Sequence, residues 1–426
     1  MDIHIIPRAL AGTVQAPSSK SMTHRELICA ALAEGESVVD NVSPSKDIEA
    51  TIRCMAALGA RIEETASAYP GRRAYRTAGG LAKQEGPVTC ACGESGSTLR
   101  FLIPIGLYSG NCCVFTGEGR LGERPLAPYF RLFDEKGIGY AAADGLPLTA
   151  EGTLTPGRYV LPGDVSSQFF SGLLFVLPLL PGDSELRAAT PVESESYIGM
   201  TVDAMARHGV RVDRTEAGWR IPGGQRYRPG RFAVEGDWSQ GAFWLAAGLL
   251  GEDIAVTGLP ASSPQGDRVV ADILRRMGGA LEAREGALCA AASETRGTVL
   301  DAEDCPDLVP VLTALAAVSR GRTEIVHAAR VRLKECDRLH AMASELTKLG
   351  ARIEEQPDGL VVDGVEALSG GVVDGWNDHR VAMALAAVSA RCAGPLTITG
   401  AECVAKSYPA FWRDFRSLGG LAEERN

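Results

Sequence analysis

Residues 377–394 read NDHRVAMALAAVSARCAG. A short polar loop leads directly into a run of Ala, Val, Leu and Met that is apolar on nearly every side, and the run stops at Gly394. A helix that is apolar all round belongs in a protein interior, and glycine is favoured just past a helix end. The stretch therefore predicts a buried helix whose N-terminus carries polar side chains.

The same pattern occurs five more times along the chain. Its polar loops begin at Ser18, Glu94, Asp164, Asp237 and Cys305, and its apolar runs stop at Gly35, Gly110, Gly182, Gly251 and Gly321. Six amphipathic segments alternate with these runs and end at Gly59, Gly137, Gly209, Gly278, Gly350 and Gly419. Successive glycines of one series are about 70 residues apart, which indicates a repeat architecture. Each repeat predicts a strand, a buried helix, a strand, an outer helix and one or two further strands.

The predicted fold class is α/β, with six repeats in two domains of three. A chain of 426 residues is too long for one hydrophobic core, and residues 222–230, PGGQRYRPG, have a linker-like composition near its midpoint. The N-terminal strand at residues 3–6 is expected to pair with the C-terminal half. The predicted domains are therefore residues 18–235, and residues 1–17 together with 236–426, joined by a hinge that the chain crosses twice.

The composition is that of a globular protein. Hydrophobic residues make up 45% of the chain and charged residues 23%, as in ordinary domains. The longest apolar stretch, residues 169–180, is too short to span a bilayer and contains Pro178, and the N-terminus lacks a signal-peptide pattern. We therefore expect a cytoplasmic protein that does not enter a membrane. A net charge of −10 argues against nucleic-acid binding.

Neither disulfides nor metal sites are predicted. Eleven cysteines are scattered along the chain, and the close pairs Cys90/Cys92 and Cys112/Cys113 lack the two-residue spacing of a zinc knuckle. The expected role of these thiols is that of small buried side chains. The six histidines offer no ligand pair at helical spacing, so we expect no metal and no other cofactor.

Positive charge is concentrated where the predicted helices begin. A helix N-terminus presents unpaired N–H groups that suit phosphate or carboxylate, so several such ends predict substrates with several negative charges. For any single loop, ordinary helix capping remains an alternative, although it explains less of the clusters at 166–168 and 332–338. The basic residues are Lys20, Arg25, Arg100 and Arg380 at the buried helices, and Arg124, Lys334, Arg338 and Lys406 at the outer helices.

Two carboxylates, Asp307 and Glu335, stand among these cations. A carboxylate beside fixed positive charge stays ionised and can accept a proton from an alcohol, whereas one with a nearby proton donor can relay it. The pattern indicates proton transfer on an anionic substrate.

Seven loop motifs follow one another along the chain. They are Ser19-Lys20-Ser21 with Arg25, then SGSTLR at 95–100, GERPL at 122–126, GDVSSQ at 163–168, KECDR at 334–338, NDHR at 377–380 and AKSYP at 405–409. In this order, and over the whole chain, they resemble the 5-enolpyruvylshikimate-3-phosphate synthases, or 3-phosphoshikimate 1-carboxyvinyltransferases.

The resemblance implies a monomer of two inside-out α/β domains, each of three βαβαββ repeats, that close around shikimate 3-phosphate and phosphoenolpyruvate. It implies transfer of the enolpyruvyl (1-carboxyvinyl) group to the 5-hydroxyl of shikimate 3-phosphate, with release of phosphate, in the shikimate pathway to chorismate and aromatic amino acids. The first domain is assigned mainly to shikimate 3-phosphate and the second mainly to phosphoenolpyruvate. The implied contacts of shikimate 3-phosphate are Lys20, Ser21, Arg25, Ser166, Ser167, Gln168, Ser194, Tyr197, Asp307 and Lys334. Those of phosphoenolpyruvate are Lys20, Gly96, Arg124, Gln168, Arg338, Arg380 and Lys406.

The resemblance also implies catalytic roles. Asp307 is the base on the hydroxyl and Glu335 the main proton carrier at C3 of phosphoenolpyruvate, while Lys20 and Lys406 share proton transfer and charge stabilisation. The chain departs from the commoner family pattern at Glu94, where Asn is frequent, and at Cys336, where Ser or Thr is usual. In the family, the residue at the position of Gly96 affects inhibition by glyphosate. A glycine there indicates that glyphosate inhibits the enzyme, although Glu94 changes the charge expected nearby.

Two alternatives remain. The sister enzymes that transfer enolpyruvyl to a UDP-amino sugar share the repeats, but they typically carry a reactive cysteine in the loop of Arg124, and residues 117–128 contain none. A non-catalytic anion-binding protein on the same fold is the second alternative. Loss of Lys20, Glu335 or Arg380 would favour it, and all three are present.

Overall fold

The computed structural model describes residues 1–142 and 145–425. Within these ranges the chain forms twelve α-helices and 24 β-strands, numbered here in chain order. It divides into two compact units. The N-terminal unit is Lys20–Val234, and the C-terminal unit is Met1–Ser19 together with Glu235–Asn426.

The helices fall into the two alternating classes that the sequence predicts. The buried helices are α1 (Lys20–Leu32), α3 (Gly96–Ser109), α5 (Ser167–Val176), α7 (Trp238–Leu250), α9 (Val309–Ala317) and α11 (His379–Ala387). The outer helices are α2 (Lys46–Ala57), α4 (Ala127–Lys136), α6 (Glu195–Arg207), α8 (Val270–Arg276), α10 (Arg338–Lys348) and α12 (Phe411–Ser417).

The strands form six four-stranded sheets, three in each unit. Those of the N-terminal unit are β3 (Glu36–Val42), β4 (Arg61–Thr65), β5 (Arg73–Ala78), β6 (Val88–Ala91), β7 (Cys113–Thr116), β8 (Gly139–Ala142), β9 (Leu148–Glu151), β10 (Arg158–Leu161), β11 (Ser184–Ala188), β12 (Asp213–Thr215), β13 (Gly218–Ile221) and β14 (Arg231–Ala233). Those of the C-terminal unit are β1 (Asp2–Ile6), β2 (Gly12–Gln15), β15 (Ile254–Thr257), β16 (Ala280–Arg284), β17 (Ala287–Ala291), β18 (Val299–Asp301), β19 (Arg322–Val326), β20 (Arg352–Gln356), β21 (Gly359–Asp363), β22 (Gly371–Asp374), β23 (Leu396–Thr399) and β24 (Leu421–Arg425).

One repeat shows the plan of the sheets. Strands β6 and β7 flank the buried helix α3 in sequence and pair in parallel. After the outer helix α4, the hairpin β8–β9 returns, and β9 pairs antiparallel with β7. The resulting order is β6-β7-β9-β8, and it gives the βαβαββ repeat predicted for this chain.

Three strands pair with strands that are distant from them in sequence. Strand β2 precedes α1 but pairs with β15 of the C-terminal unit, whereas β14 precedes α7 but pairs with β3 of the N-terminal unit. Strand β1 lies between β23 and β24, antiparallel to both. The predicted pairing of the N-terminal strand with the C-terminal half is therefore confirmed.

The linker-like stretch at 222–230 is a packed loop of the N-terminal unit. Tyr227 is buried, and its hydroxyl donates to the carbonyl oxygen of Phe175 at 2.9 Å. Proline and glycine here mark an irregular connection between β13 and β14, and the chain leaves this unit at Val234.

The buried helices form the interiors of the two units. Every residue of α9 and α11 is buried, and Phe101 of α3 makes ring contacts with His24 of α1 and Phe175 of α5. The six glycines that end the outer helices all have positive φ, between 65° and 106°, a backbone conformation that favours glycine. Among the described residues, no helix has the length and apolar character needed to span a bilayer.

Candidate active site

The predicted site residues divide between the two units, and those of each unit are called its cluster below. The N-terminal cluster is Lys20, Ser21, Arg25, Gly96, Arg124, Ser166, Ser167, Gln168, Ser194 and Tyr197, and the C-terminal cluster is Asp307, Lys334, Glu335, Arg338, Arg380 and Lys406.

Arg338, the first residue of α10, lies at the centre of the C-terminal cluster. Its buried guanidinium donates from Nε to Asp378 Oδ2 at 2.8 Å and from Nη1 to Asp307 Oδ1 at 2.9 Å. It also donates from Nη2 to Glu335 Oε2 at 2.8 Å. Burial alone would lower the pKa of Arg338, but the three carboxylates hold it well above its ordinary value. One planar guanidinium thus fixes the two proposed proton carriers.

Asp307 lies in the short 3-10 turn Pro306–Leu308 that leads into α9. Its second carboxylate oxygen, Oδ2, accepts from Arg380 Nη2 at 2.8 Å, and Lys334 Nζ is 3.7 Å from Oδ1. Burial alone would raise the pKa of the Asp307 carboxyl, but Arg380, Lys334 and Arg338 hold it well below its ordinary value. Asp307 is therefore ionised at neutral pH.

Asp378 is a positioning residue for which the sequence predicted no role. Its buried carboxylate caps α11 by accepting from the backbone N–H of Arg380 at 2.8 Å, in addition to holding Arg338. The thiol of Cys336 donates to the same carboxylate, with an Sγ–Oδ2 distance of 3.6 Å, as a hydroxyl would at this position. The signal was present in the NDHR motif, but an Asp before an apolar helix is equally typical of an ordinary N-cap.

The expectation that Arg124, Lys334 and Lys406 begin outer helices is wrong. They end or directly follow the 3-10 helices Gly119–Glu123, Ala329–Leu333 and Ala401–Lys406, and α12 begins only at Phe411. Pro409 disfavours helical backbone in the residue before it, which delays α12. Lys406 ends its 3-10 helix, and its Nζ donates at 2.6 Å to the carbonyl oxygen of Asn377, in the loop that precedes α11.

Arg25 is the buried cation of the N-terminal cluster. Its guanidinium donates to Thr201 Oγ1 at 2.8 Å, to the carbonyl oxygen of Ser21 at 2.7 Å and to that of Tyr197 at 2.8 Å. It also lies over the ring of Phe101, 5.2 Å from the ring centroid. Burial lowers the pKa of Arg25 to about 10, so the group stays charged at neutral pH. Tyr197 acts here through its backbone.

Lys20 begins α1 and donates to Asp47 Oδ2 at 2.7 Å. A buried hydroxyl chain lies behind this pair: His24 Nδ1 is 2.8 Å from Thr51 Oγ1, which is 2.7 Å from Thr98 Oγ1. Burial lowers the pKa of His24 well below its ordinary value, so the ring is neutral at physiological pH. These three side chains join α1, α2 and α3. Asp47 was not predicted from the sequence, because it resembles an ordinary acid in the first turn of a helix.

Gly96 and Gln168 bring α3 and α5 together. Gln168 accepts from Arg100 Nη1 at 2.7 Å and donates to Ser97 Oγ at 2.9 Å. A Cβ atom on Gly96 would lie 2.6 Å from Nη1 of Arg124, which is closer than non-bonded atoms approach. Glycine is therefore what allows this guanidinium to reach the N-terminus of α3.

The remaining serines of the N-terminal cluster lie where α5 and α6 begin. Ser166 caps α5 by accepting from the backbone N–H of Gln168 at 3.3 Å, and Ser167 is the first residue of that helix. Ser194 precedes α6 with φ 54° and ψ 46°. This left-handed conformation is uncommon for serine and is often found at functional sites.

Comparison with known proteins identifies the family. The family model EPSP synthase (3-phosphoshikimate 1-carboxyvinyltransferase) matches residues 5–415. The chain belongs to the EPSP synthase family. Two members, the 3-phosphoshikimate 1-carboxyvinyltransferases of Clostridium acetobutylicum and Clostridium kluyveri, are 48% and 49% identical to it, and the alignments cover 99% of this chain and 98% of each relative.

The fold of the EPSP synthase family is confirmed as well. A solved structure of EPSP synthase from Acinetobacter baumannii matches with a TM-score of 0.79 at 24% identity, and the match covers 99% of this chain and 100% of that one. The family inferred from seven loop motifs is therefore correct.

Proposed function

We propose that this chain transfers the carboxyvinyl group of phosphoenolpyruvate to the 5-hydroxyl of shikimate 3-phosphate and releases inorganic phosphate, a step of the shikimate pathway. Its family and relatives are named for 3-phosphoshikimate carboxyvinyl transfer. The assignment of the catalytic residues rests on one observation: Asp307 and Glu335 both accept hydrogen bonds from the guanidinium of Arg338.

The proposed reaction has two stages. In the addition, Asp307 takes the proton of the 5-hydroxyl as the oxygen bonds to C2 of phosphoenolpyruvate, and Glu335 gives a proton to the C3 methylene. In the elimination, the bond from C2 to the phosphate oxygen breaks, the new methyl group returns a proton to Glu335, and the proton held by Asp307 leaves with the phosphate. Lys20 and Lys406 stabilise the charge that develops on the phosphate and assist its protonation.

The remaining residues bind the two anionic substrates. Shikimate 3-phosphate is assigned mainly to the N-terminal unit, and phosphoenolpyruvate mainly to the C-terminal unit. For shikimate 3-phosphate the proposed contacts are Lys20, Ser21, Arg25, Ser166, Ser167, Gln168, Ser194, Tyr197, Asp307 and Lys334. For phosphoenolpyruvate they are Lys20, Gly96, Arg124, Gln168, Arg338, Arg380 and Lys406. Arg25 supports this assignment because its positive charge is held by neutral oxygens.

We further propose that the enzyme acts as a monomer in the cytoplasm and that glyphosate inhibits it. The glyphosate proposal rests on Gly96, which leaves the Arg124 guanidinium close to the N-terminus of α3.

Phosphate release from phosphoenolpyruvate tests the function. We expect release with shikimate 3-phosphate and none with UDP-N-acetylglucosamine or without an acceptor. Release with the UDP-sugar alone would assign the chain to the sister activity. No release with either acceptor would favour an anion-binding protein without catalytic activity.

A further inference from the structure

The loop that joins β22 to α11, residues 375–378, has an unusual backbone. Trp376 and Asn377 have φ of 52° and 49°, so both lie in the left-handed region. Among the described residues they are the only two adjacent non-glycine residues with positive φ. Asparagine tolerates this conformation, but it is an outlier for a side chain as bulky as tryptophan. Such a backbone persists only where surrounding contacts hold it, and it is common at functional sites.

The 375–378 loop carries two groups that contact the C-terminal cluster. The carbonyl oxygen of Asn377 accepts from Lys406 Nζ at 2.6 Å. The carboxylate of Asp378 accepts from Arg338 Nε at 2.8 Å and caps α11. Because both residues directly follow Trp376, the directions of these two acceptors depend on the backbone conformation of Trp376.

Glu345 of α10 contacts this loop from a buried position. Its side chain is 1% exposed, and its Oε1 accepts from Trp376 Nε1 at 2.7 Å. Its Oε2 accepts from the backbone N–H of Asp374, the last residue of β22, at 2.9 Å. Lys348 donates to both oxygens and is half-exposed. Glu345 therefore fixes both the side chain of the strained tryptophan and the backbone directly before the loop.

Burial makes this contact specific. A buried carboxylate loses its water, and the desolvation penalty is offset only by hydrogen bonds and opposite charge. Two of the donors that satisfy Glu345 belong to Trp376 and Asp374. If the loop left its left-handed conformation, the carboxylate would lose the indole donor without gaining water. The carboxylate and the loop conformation thus stabilise each other.

Helix α10 holds the 375–378 loop at two points. Its first residue, Arg338, binds the carboxylate of Asp378, and Glu345, about two turns later, binds Trp376. The ring of His340, between these two residues of α10, makes an edge-to-face contact with the Trp376 ring at 5.6 Å between centroids. One helix thus connects the strained tryptophan to the guanidinium that orients the proposed proton carriers.

We propose that Glu345 is a positioning residue for the transfer reaction. It holds the 375–378 loop in its left-handed conformation, so that Asn377 and Asp378 orient Lys406 and Arg338. Glu345 acts through these two side chains and transfers no proton itself. The catalytic consequence rests on the proposed function, in which Lys406 stabilises charge on the departing phosphate. The effect of Glu345 on the loop backbone does not rest on it.

Hydrogen–deuterium exchange of the full-length enzyme tests the effect on the backbone. In Glu345→Gln, one amide oxygen replaces two carboxylate oxygens, and the NH₂ group faces a donor of the loop. We expect amides of a peptide spanning residues 371–380 to exchange about tenfold faster, because the loop opens locally more often. Lys348→Gln keeps both loop contacts of Glu345 and is the matched control, with exchange as in the wild type. Unchanged exchange in Glu345→Gln would overturn the proposal.

Steady-state phosphate release tests the effect on the reaction. For Glu345→Gln we expect kcat per folded enzyme to fall about 30-fold, because a displacement of about 1 Å can cost about 10²-fold. The Michaelis constant for shikimate 3-phosphate should change less than about threefold, since that substrate is assigned mainly to the N-terminal unit. A role in stability alone would lower the free energy of unfolding and leave kcat per folded enzyme unchanged, and that result would contradict positioning.

Trp376→Phe removes the indole N–H but keeps an aromatic ring. We expect its kcat to fall about fivefold, and the double variant with Glu345→Gln to lose no more than Glu345→Gln alone, because both changes break one contact. Losses that multiply would show that the two residues act independently and would overturn the proposal.

Two further outcomes separate the positioning role from the proposed function. Faster exchange with kcat within about twofold of the wild type would overturn positioning and leave the proposed function intact. A wild type that releases no phosphate would overturn the proposed function, and positioning for that reaction with it, while the exchange result for the loop would stand. If Glu345→Gln does not fold, Trp376→Phe decides: a lower kcat supports the proposal and an unchanged kcat overturns it.

Discussion

Arg25 and Arg338 are buried to nearly the same degree, 2% and 1% exposed, but in opposite surroundings. Arg25 in the N-terminal unit donates to a hydroxyl and two carbonyl oxygens, and burial lowers its pKa to about 10. Arg338 in the C-terminal unit donates to three carboxylates, which hold its pKa well above the ordinary value despite burial.

Because their hydrogen-bond partners differ, the two buried arginines have different roles. Arg25 is oriented by neutral groups, so its positive charge remains to attract a phosphate dianion. The charge of Arg338 is already balanced by Asp307, Glu335 and Asp378. Its main contribution before substrate binds is to orient those carboxylates and to help keep Asp307 ionised, and a substrate carboxylate must share or replace one of them.

The largest expected effect comes from removing a proton carrier in the C-terminal cluster. For Asp307→Asn we expect turnover to fall about 10³-fold, since general acid–base groups contribute about 10²–10⁴-fold. The affinity for shikimate 3-phosphate should change less than about tenfold. Glu335→Gln should behave in the same way, and Asp301→Asn, at an exposed acid paired with His327, is the control. Steady-state phosphate release and calorimetry measure the two quantities; loss of all binding would contradict the assigned roles.

The second expected effect is on the free energy of unfolding, which should fall more when Arg338 is replaced than when Arg25 is replaced. Arg338→Ala leaves three carboxylates without their shared partner and should reduce the free energy of unfolding by about 3–5 kcal/mol. Arg25→Ala leaves only neutral oxygens and should cost about 1–3 kcal/mol. Denaturant unfolding at neutral pH compares the variants. Equal losses would show that the charge of the partners does not matter.

A smaller effect is expected on substrate binding through Arg25. Arg25→Ala should lower kcat/KM for shikimate 3-phosphate about 10–100-fold, which corresponds to one or two charge-assisted hydrogen bonds. The Michaelis constant for phosphoenolpyruvate should change little. Arg25→Lys keeps the charge without the planar fork and should recover part of the loss. An effect confined to phosphoenolpyruvate would reverse our assignment of the two substrates.

Gly96→Ala is expected to act through Arg124 alone. The added Cβ would lie 2.6 Å from Arg124 Nη1, the far end of a flexible side chain, so the fold survives while that guanidinium shifts. We expect the Michaelis constant for phosphoenolpyruvate to rise about tenfold, or about 1.4 kcal/mol, and glyphosate inhibition to weaken. Gly199→Ala on α6 adds a Cβ with no atom within 4 Å and is the matched control. Equal effects of the two changes would contradict a steric mechanism.

The smallest effect concerns pH. The folded-state pKa of Asp307 is depressed, so its stabilising contribution is complete above the unfolded-state pKa of about 3.9 and is lost as the pH falls through the folded value. The difference in unfolding free energy between wild type and Asp307→Asn should therefore be constant from about pH 5 to 8 and shrink below about pH 4. A difference that shrinks near neutral pH would place the folded-state pKa of Asp307 far higher.

Local patterns were sufficient for the helices and their order. The terminal glycines of the outer helices were found because a left-handed C-terminal residue favours glycine, and the NDHR loop was found because its polar residues open an apolar run. The 3-10 helices that end just before Arg124, just before Lys334 and at Lys406 were missed, since such short turns have little sequence signature.

Contacts between distant residues were not predictable in the same way. Asp307, Arg338 and Asp378 are 31 and 40 residues apart in the chain and meet at one guanidinium. The charge pattern named two of them as candidates and passed over the third.

The sequence by itself determined the α/β repeats, the two classes of helix and the family. Periodicity, helix ends and loop motifs depend only on residues that are close together in the sequence. The tertiary structure alone decided that β2 and β14 join sheets away from their own helices and that one buried arginine is balanced by carboxylates and another is not. These properties depend on which surfaces the packing of helices and sheets brings together, and on the exclusion of water that makes each charge depend on its neighbours.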